Sequence, residues 1–229
     1  DGTGGLIVPW VDERNPSLDI YVQRVLNDGT VSPDWPTGGA IVGVTPVDDL
    51  YPDICSDNEG GAIISWYSYE YPEFADIWAQ RVDAADGHPV WPEDAEICLD
   101  VPSLQKRPRI VVDGYGGAII AWVDQRQVIE DRACIYAQRV NSLGVPQWQS
   151  NGIPVTEDIW VWQQETFSRP NTPIAADGDH GAIIAWMYYD GSSCDIHAER
   201  LNSNGEDQWT PFVGGLPVCT APGWQYDPN

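Results

Sequence analysis

The sequence has few basic residues and no long apolar segment. Its 229 residues include 35 acidic and 11 basic side chains, which gives a formal net charge of −24, and Lys106 is the one lysine. A field of this sign repels phosphate groups, so we expect no binding to nucleic acid or to anionic lipid surfaces. No apolar run approaches the length of a membrane span, so we expect no membrane insertion. The acidity suits either a saline or calcium-bearing exterior, or simply a well-solvated surface.

Other absences exclude further classes of protein. Met187 is the one methionine and no signal peptide is seen, so we expect the numbering to begin inside a longer or processed precursor. The five cysteines form no C-x-x-C pair, which excludes a zinc knuckle or a redox motif, and their pairing stays open. No window shows the i, i+3, i+4 apolar pattern of an amphipathic helix.

The chain is a tandem repeat. Hydrophobic residues make up 42% of it, including twelve tryptophans, which is enough to build a core. Four copies of one unit fill a single domain over residues 1–229, with boundaries at 1–56, 57–112, 113–176 and 177–229. Their openings read DGTGGLIVPW, DNEGGAIISW, DGYGGAIIAW and DGDHGAIIAW, and the next segments read DIYVQRV, DIWAQRV, CIYAQRV and DIHAERL.

Each copy is predicted to contain four β-strands. The Gly-Ala-Ile-Ile run is too short for a helix and follows a turn, and the second segment alternates two sets of side chains. The third strand should carry one tryptophan in each copy (Trp35, Trp91, Trp148 and Trp209), and the fourth a Pro-x-Ile element. Four strands per unit predict an all-β fold of β-propeller type. The Pro-x-Ile strand is missing before Asp1, so four blades closing a small ring and a part of a larger propeller are both consistent.

The repeat resembles the tandem units of large secreted bacterial and archaeal proteins, with the pattern D-G-x-G-G-A-I-I-x-W-x-D-x-R, then D-I-Y-A-Q-R-V, then a tryptophan. The pattern is nearly complete in 113–140 and in 1–25, whereas the second and fourth copies depart from it after Trp66 and Trp186. The resemblance implies an exported propeller-like module of a multi-domain extracellular or cell-surface protein. It implies no particular reaction.

Residues that recur in every copy are expected to be structural. One tryptophan per copy should pack between adjacent blades (Trp10, Trp66, Trp122 and Trp186). One arginine per copy should join a structural network with a carboxylate or a carbonyl (Arg24, Arg81, Arg139 and Arg200). Asp19, Asp76 and Asp195 recur five residues before three of these arginines. A ring of arginines that binds an anion is the functional alternative, and it would oppose the overall field.

Candidate ligand-binding residues lie where the copies differ. The third copy has an insertion at about 158–167, in which Trp160, Trp162 and Phe167 could form a platform for a sugar ring or a protein. Its structural alternative is a loop that covers a blade edge. A second aromatic set should lie on one rim and hold sugars, or consist of ordinary half-buried tyrosines; it comprises Tyr67, Tyr69, Tyr71, Tyr188 and Tyr189.

Catalysis has weak support in the sequence. The three histidines, His88, His180 and His197, occupy unrelated positions of the repeat, so no catalytic triad or histidine metal site emerges. Acidic turns such as 177–179 and 48–49 could hold Ca²⁺, but none fits a calcium-loop motif, so no cofactor is expected. We therefore expect a non-enzymatic extracellular module that binds a protein or glycan, or self-associates. The alternatives are a lectin-like propeller and, third, a propeller enzyme of glycosidase or lyase type.

Overall fold

The computed structural model describes residues 1–43, 45–70, 74–99, 102–126, 133–156, 172–189, 192–209, 214–225 and 228. These residues contain fifteen β-strands and no helix, so the all-β prediction is confirmed. No helix in this part of the chain is long and apolar enough to span a membrane.

The strands form four antiparallel sheets, in each of which every strand pairs with the next one along the chain. Sheet I contains β1 (Leu6–Asp12), β2 (Asp19–Val25) and β3 (Ala40–Gly43). Sheet II contains β4 (Asp48–Ser56), β5 (Ala62–Glu70), β6 (Phe74–Val82) and β7 (Ala95–Cys98). Sheet III contains β8 (Gln105–Val112), β9 (Ala118–Asp124), β10 (Cys134–Val140) and β11 (Ile153–Pro154). Sheet IV contains β12 (Ile174–Ala176), β13 (Ala182–Tyr189), β14 (Cys194–Leu201) and β15 (Leu216–Cys219).

The sheets are offset from the sequence repeats by one strand. The Pro-x-Ile segment that ends one copy pairs with the first strand of the next copy, as in Ile54 opposite Ile64 and Ile110 opposite Ile120. These segments, β4, β8 and β12, are the first strands of sheets II to IV, and β8 packs against both β4 and β12. Sheet I lacks the corresponding strand among the described residues, so β1 is its edge.

The hydrophobic core lies between adjacent sheets rather than within one. Three clusters of buried residues join sheet I to II, II to III, and III to IV. Trp66, Trp122 and Trp186 are among the largest fully buried side chains, whereas Trp10 is only half-buried on the edge strand. Trp66, Trp122 and Trp186 therefore fill the spaces between adjacent sheets.

The other recurring tryptophans do not lie in strands, and the prediction of a third strand around them is wrong. Trp35 and Trp91 lie in turns before β3 and β7, where they are buried at 3% and 4% exposure. Because these residues lie outside the strand pairing, their rings can extend to the neighbouring sheet. The indole nitrogen of Trp91, for example, donates to the carbonyl of Ser142 at 2.9 Å.

The recurring arginines bind the aspartate that opens each copy. Arg139 Nε lies 2.9 Å from Asp113 Oδ2, and the same pairs are Arg24 with Asp1, Arg81 with Asp57, and Arg200 with Asp177. Asp113 also accepts the amide of Gly117 at 2.8 Å, so one carboxylate closes the turn and holds the arginine. The partners are thus not the aspartates five residues upstream. Each of the four recurring arginines therefore forms an ion pair with a carboxylate of its own copy.

Candidate functional site

In sheets II and III, the first strand begins on the side of the sheet where the second, antiparallel strand ends. Asp48 of β4 pairs with Tyr69 of β5, and Gln105 of β8 pairs with Asp124 of β9. We call this side of sheets II and III the entry face. Of the predicted rim tyrosines, Tyr67 and Tyr69 lie here, and Tyr188 and Tyr189 end β13 in the same way. Tyr71, Trp160, Trp162 and Phe167 lie outside the described residues.

Two non-glycine residues of the entry face adopt a left-handed backbone. Tyr51 has φ 52° and Arg107 has φ 55°, and each directly precedes a proline of the Pro-x-Ile element. The strand register shifts at both places, between Leu50 and Asp53 and between Lys106 and Arg109. A bulge of this kind turns a side chain away from its normal direction, and such strained residues cluster at functional sites. Sequence reasoning missed both residues.

The two strained residues belong to a cluster of aromatic and cationic side chains. Tyr51, which is 41% exposed, stacks on Tyr67 with ring centroids 5.6 Å apart and an interplanar angle of 17°. The Arg107 guanidinium lies 5.8 Å from the Tyr51 centroid, and Lys106 Nζ lies 5.5 Å from that of Tyr69. Burial raises the pKa of Tyr67 to about 12, so its hydroxyl stays protonated near neutral pH. We call these five residues the tyrosine–cation cluster.

Arg107 differs from the other described arginines in having no ion pair with a described carboxylate. The structure describes eight arginines, and seven of them form ion pairs with aspartates. Arg107 is half-buried, and none of the described carboxylates pairs with it. A half-buried guanidinium usually has an acceptor. Its chemistry therefore points to an anionic group supplied from outside the described residues.

Sheets I and III share a structural unit made by the W-x-D-x-R motif. In sheet III, Trp122 Nε1 donates to Asp124 Oδ2 at 2.8 Å, and Arg126 binds the same carboxylate. The Arg126 guanidinium also lies 3.9 Å from the Tyr136 centroid. The motif that carries the sequence resemblance therefore has a stabilising role in these two sheets.

In sheet II the equivalent carboxylate belongs to the first strand, β4, whereas in sheet III it belongs to the second strand, β9. Ser68 stands where sheet III has Asp124, and its strand partner is Asp49, where sheet III has Gln105. Asp49 is fully buried and accepts hydrogen bonds from Thr45 and Ser68, but its Oδ2 has no partner among the described residues. Burial, with a smaller contribution from the charge of Asp19, raises the pKa of Asp49 to about 6. Sheet II thus holds a carboxyl group that can be protonated close to neutral pH.

The acidic pairs considered as calcium turns have other roles. Asp48 and Asp49 are the first residues of β4 rather than a turn. Asp177 binds Arg200 and accepts the amides of Asp179 and Gly181. No group of three or more His, Cys, Asp or Glu side chains in the described ranges is arranged to hold a metal ion.

The remaining predicted tyrosines pack within sheet IV. Tyr188 stacks on His197 with centroids 4.5 Å apart, and His197 Nδ1 lies 2.8 Å from the Gly214 carbonyl oxygen. Tyr189 contacts Trp224 at 5.9 Å between centroids. These contacts are consistent with a packing role for both tyrosines.

A groove of about 670 Å³ lies between the segment around β7 in sheet II and the turns that precede β11 in sheet III. Its lining includes Trp91, Trp148, Glu93, Asp94 and Leu143. None of the described candidate tyrosines, Tyr67, Tyr69, Tyr188 and Tyr189, lines it. Because Trp91 is buried and binds the next sheet, we assign the groove to the junction between these sheets.

Comparison with known proteins gives similarity in structure only. No protein-family model and no curated protein matches the chain. The endo-arabinase of Bacteroides thetaiotaomicron VPI-5482 has a TM-score of 0.50 at 14% identity, covering 96% of this chain and 78% of that chain. An α-L-arabinofuranosidase of Podospora anserina has a TM-score of 0.44 at 9% identity, covering 99% and 70%. A levansucrase of B. megaterium has a TM-score of 0.48 at 9% identity, covering 93% and 66%.

The similarity to the endo-arabinase contradicts the expectation of a non-enzymatic structural or interaction module. The endo-arabinase, whose fold matches 96% of this chain at a TM-score of 0.50, is an enzyme. The prediction that the protein is not an enzyme, and its description as a structural protein, are therefore wrong. At 14% identity the likeness itself shows the fold alone.

Proposed function

We propose that the four sheets are successive blades of a β-propeller. A repeated contact supports this arrangement: Trp35, Trp91 and Trp148 each reach a turn of the following sheet. Gly29 is the corresponding turn glycine of sheet I. No tryptophan packs on it, since a Cβ added there would have no neighbour within 4 Å. Sheets I and IV are thus not joined in this way within the described residues, and closure of the ring belongs to the proposal.

We propose further that the protein cleaves glycosidic bonds, with the glycan bound at the entry face. The observation that carries this proposal is the pairing, in sheet II, of an exposed aromatic surface with a carboxyl group of raised pKa. Tyr51 presents an exposed ring, and the flat face of an aromatic side chain packs well against a sugar ring. The shared architecture with an endo-arabinase supports a polysaccharide as the substrate.

The protonation state of Asp49 suits a general acid. Glycoside hydrolysis uses one carboxylic acid to protonate the leaving oxygen and a second carboxylate on the other side of the bond. A carboxyl with a pKa near 6 retains its proton in mildly acidic solution, as a general acid must. Asp49 is covered in this structure, so the proposal requires its hydroxyl partners, Thr45 and Ser68, to move when the glycan binds.

The test is release of reducing ends from arabinan, levan and polygalacturonate by the purified protein. We expect hydrolysis of at least one polymer, and loss of nearly all of that activity in Asp49→Asn. Asp94→Asn is the matched control, because Asp94 also has a pKa raised by burial and accepts a hydrogen bond, from Gln80, but lies on the groove side of sheet II. Full activity in Asp49→Asn would remove Asp49 from the mechanism, and no turnover of any polymer by the wild type would overturn the proposal.

A further inference from the structure

The few basic residues of this chain are unevenly distributed. Lys106, Arg107 and Arg109 lie within four consecutive residues of β8, and they account for three of the 11 basic residues of the protein. The concentration stands out in a chain with a net charge of −24. It lies on the first strand of sheet III, next to the strand that carries Tyr51.

The three cations are not equally engaged within the protein. Arg109 Nε lies 3.6 Å from Asp53 Oδ2, and this pair joins β8 to β4. Lys106 lies over Tyr69. Arg107 contacts the ring of Tyr51 and has no ion pair with any described carboxylate. Of the two arginines, Arg107 is therefore the one whose charge has no described carboxylate partner.

The backbone at Arg107 is consistent with this role. A non-glycine residue at φ 55° is unfavourable, and the ion pairs that hold the other arginines do not compensate for it here. Positions of this kind are maintained when a side chain must be presented in a defined direction. The equivalent bulge in sheet II presents Tyr51, which is exposed and lies beside the guanidinium.

An aromatic ring beside a guanidinium matches one class of sugar. The ring packs against the apolar face of a pyranose, and the planar guanidinium donates two parallel hydrogen bonds to a carboxylate. Neutral sugars would use only the first contact. We infer that the tyrosine–cation cluster binds uronic-acid residues, so that the polymer recognised at the entry face is a polyuronate. This inference rests on the proposed function for the site, and it names the class of substrate.

The test is calorimetric titration with oligogalacturonate and with the same oligosaccharide after reduction of its carboxyl groups. One charge-assisted bidentate contact corresponds to about a tenfold change in affinity or more. We therefore expect the wild type to bind the uronate at least about tenfold more tightly than the neutral oligosaccharide, and Arg107→Gln to abolish this preference. Arg107→Lys should retain part of it, because the charge remains and the planar fork is lost.

Arg14→Gln is the matched control. It changes the net charge by the same amount, and Arg14 is an exposed arginine of sheet I that pairs with Asp12. The preference for the uronate should persist in this variant, and thermal melting checks that both variants are folded. Equal affinity for the two oligosaccharides, a preference that survives in Arg107→Gln, or binding of a sulfated dextran in place of the uronate would each overturn the inference. Calorimetric titration measures binding without turnover. The preference for the uronate can therefore be measured even if the protein hydrolyses none of the polymers.

Discussion

Trp91 lies over Gly144 of the following sheet. A Cβ added to Gly144 would be 2.7 Å from Trp91 Cδ2, and the glycine has φ 81°. The same relationship joins Trp35 to Gly87 and Trp148 to Gly205. Each contact places an aromatic ring of one sheet against a turn that only glycine can form easily, so the repeated glycine is required by the neighbouring sheet as well as by its own turn.

The first prediction compares two turn glycines. Gly144→Ala should lower the free energy of unfolding by about 3 kcal/mol, since the new methyl group must displace Trp91 and the backbone is left-handed. Gly29→Ala has nearly the same φ, 83°, but no atom within 4 Å of the new Cβ, so it should cost only about 1 kcal/mol. Urea unfolding measures both values. Equal losses would show that the tryptophan contact adds nothing.

The second prediction separates a hydrogen bond from tryptophan packing. Trp122 and Trp66 occupy equivalent, fully buried positions. Trp122 donates to a carboxylate, whereas Trp66 Nε1 has no partner in the part of the chain that the structure describes. Trp122→Phe should therefore destabilise the protein by about 2 kcal/mol more than Trp66→Phe, because a hydrogen bond to a charged acceptor is lost. Chemical denaturation of the two variants gives the difference. A larger loss in Trp66→Phe would contradict the assignment of the W-x-D-x-R unit as a stabilising element.

Much of the fold could be predicted from the sequence because repetition amplifies weak signals. One Gly-Ala-Ile-Ile run is ambiguous, but four copies at regular spacing identify strands, turns and buried tryptophans together. The position of Trp35 was mispredicted because the sequence places an aromatic residue near a strand without showing that its ring belongs to the next sheet. Which four strands form one sheet depends on pairing between copies, and no local pattern determines it.

The site was less predictable because its residues depart from local preferences. Nothing in the sequence indicates that Tyr51 and Arg107 have positive φ, a conformation normally associated with glycine or asparagine. A signal did exist in the position before the proline of each Pro-x-Ile element, and in the three cations of β8. Asp49 could be identified only once the structure showed that it pairs with Ser68. The sequence does not show that the carboxylate lies on the first strand in sheet II and on the second strand in sheet III.

A third prediction concerns the edge of sheet I. Pro9 of β1 stands where sheet IV has Ala185, whose amide donates to the Pro173 carbonyl at 3.0 Å. Proline on an edge strand removes a donor that another chain could use for pairing. Pro9→Ala should therefore increase self-association in sedimentation velocity experiments at high protein concentration. Pro16→Ala, which changes an exposed turn instead, should remain as the wild type; no difference between the variants would show that Pro9 does not protect the edge.

The last prediction is a pH dependence of stability that arises from Asp49. Its pKa in the folded protein is raised from the ordinary value of 3.8 to about 6, so the native state binds the proton more tightly than the unfolded chain does. The stabilisation is fully present below about pH 4 and is lost as the pH rises through 6, at a cost of roughly 3 kcal/mol. Relative to the wild type, Asp49→Asn should become progressively more stable between pH 4 and pH 7 in urea titrations. In Asp12→Asn the difference should be flat over this range, because hydrogen bonds from Arg14 and Trp10 hold the pKa of Asp12 well below its usual value. A flat profile for Asp49→Asn would show that its carboxyl ionises normally, and the proton needed for the proposed acid catalysis would then be absent.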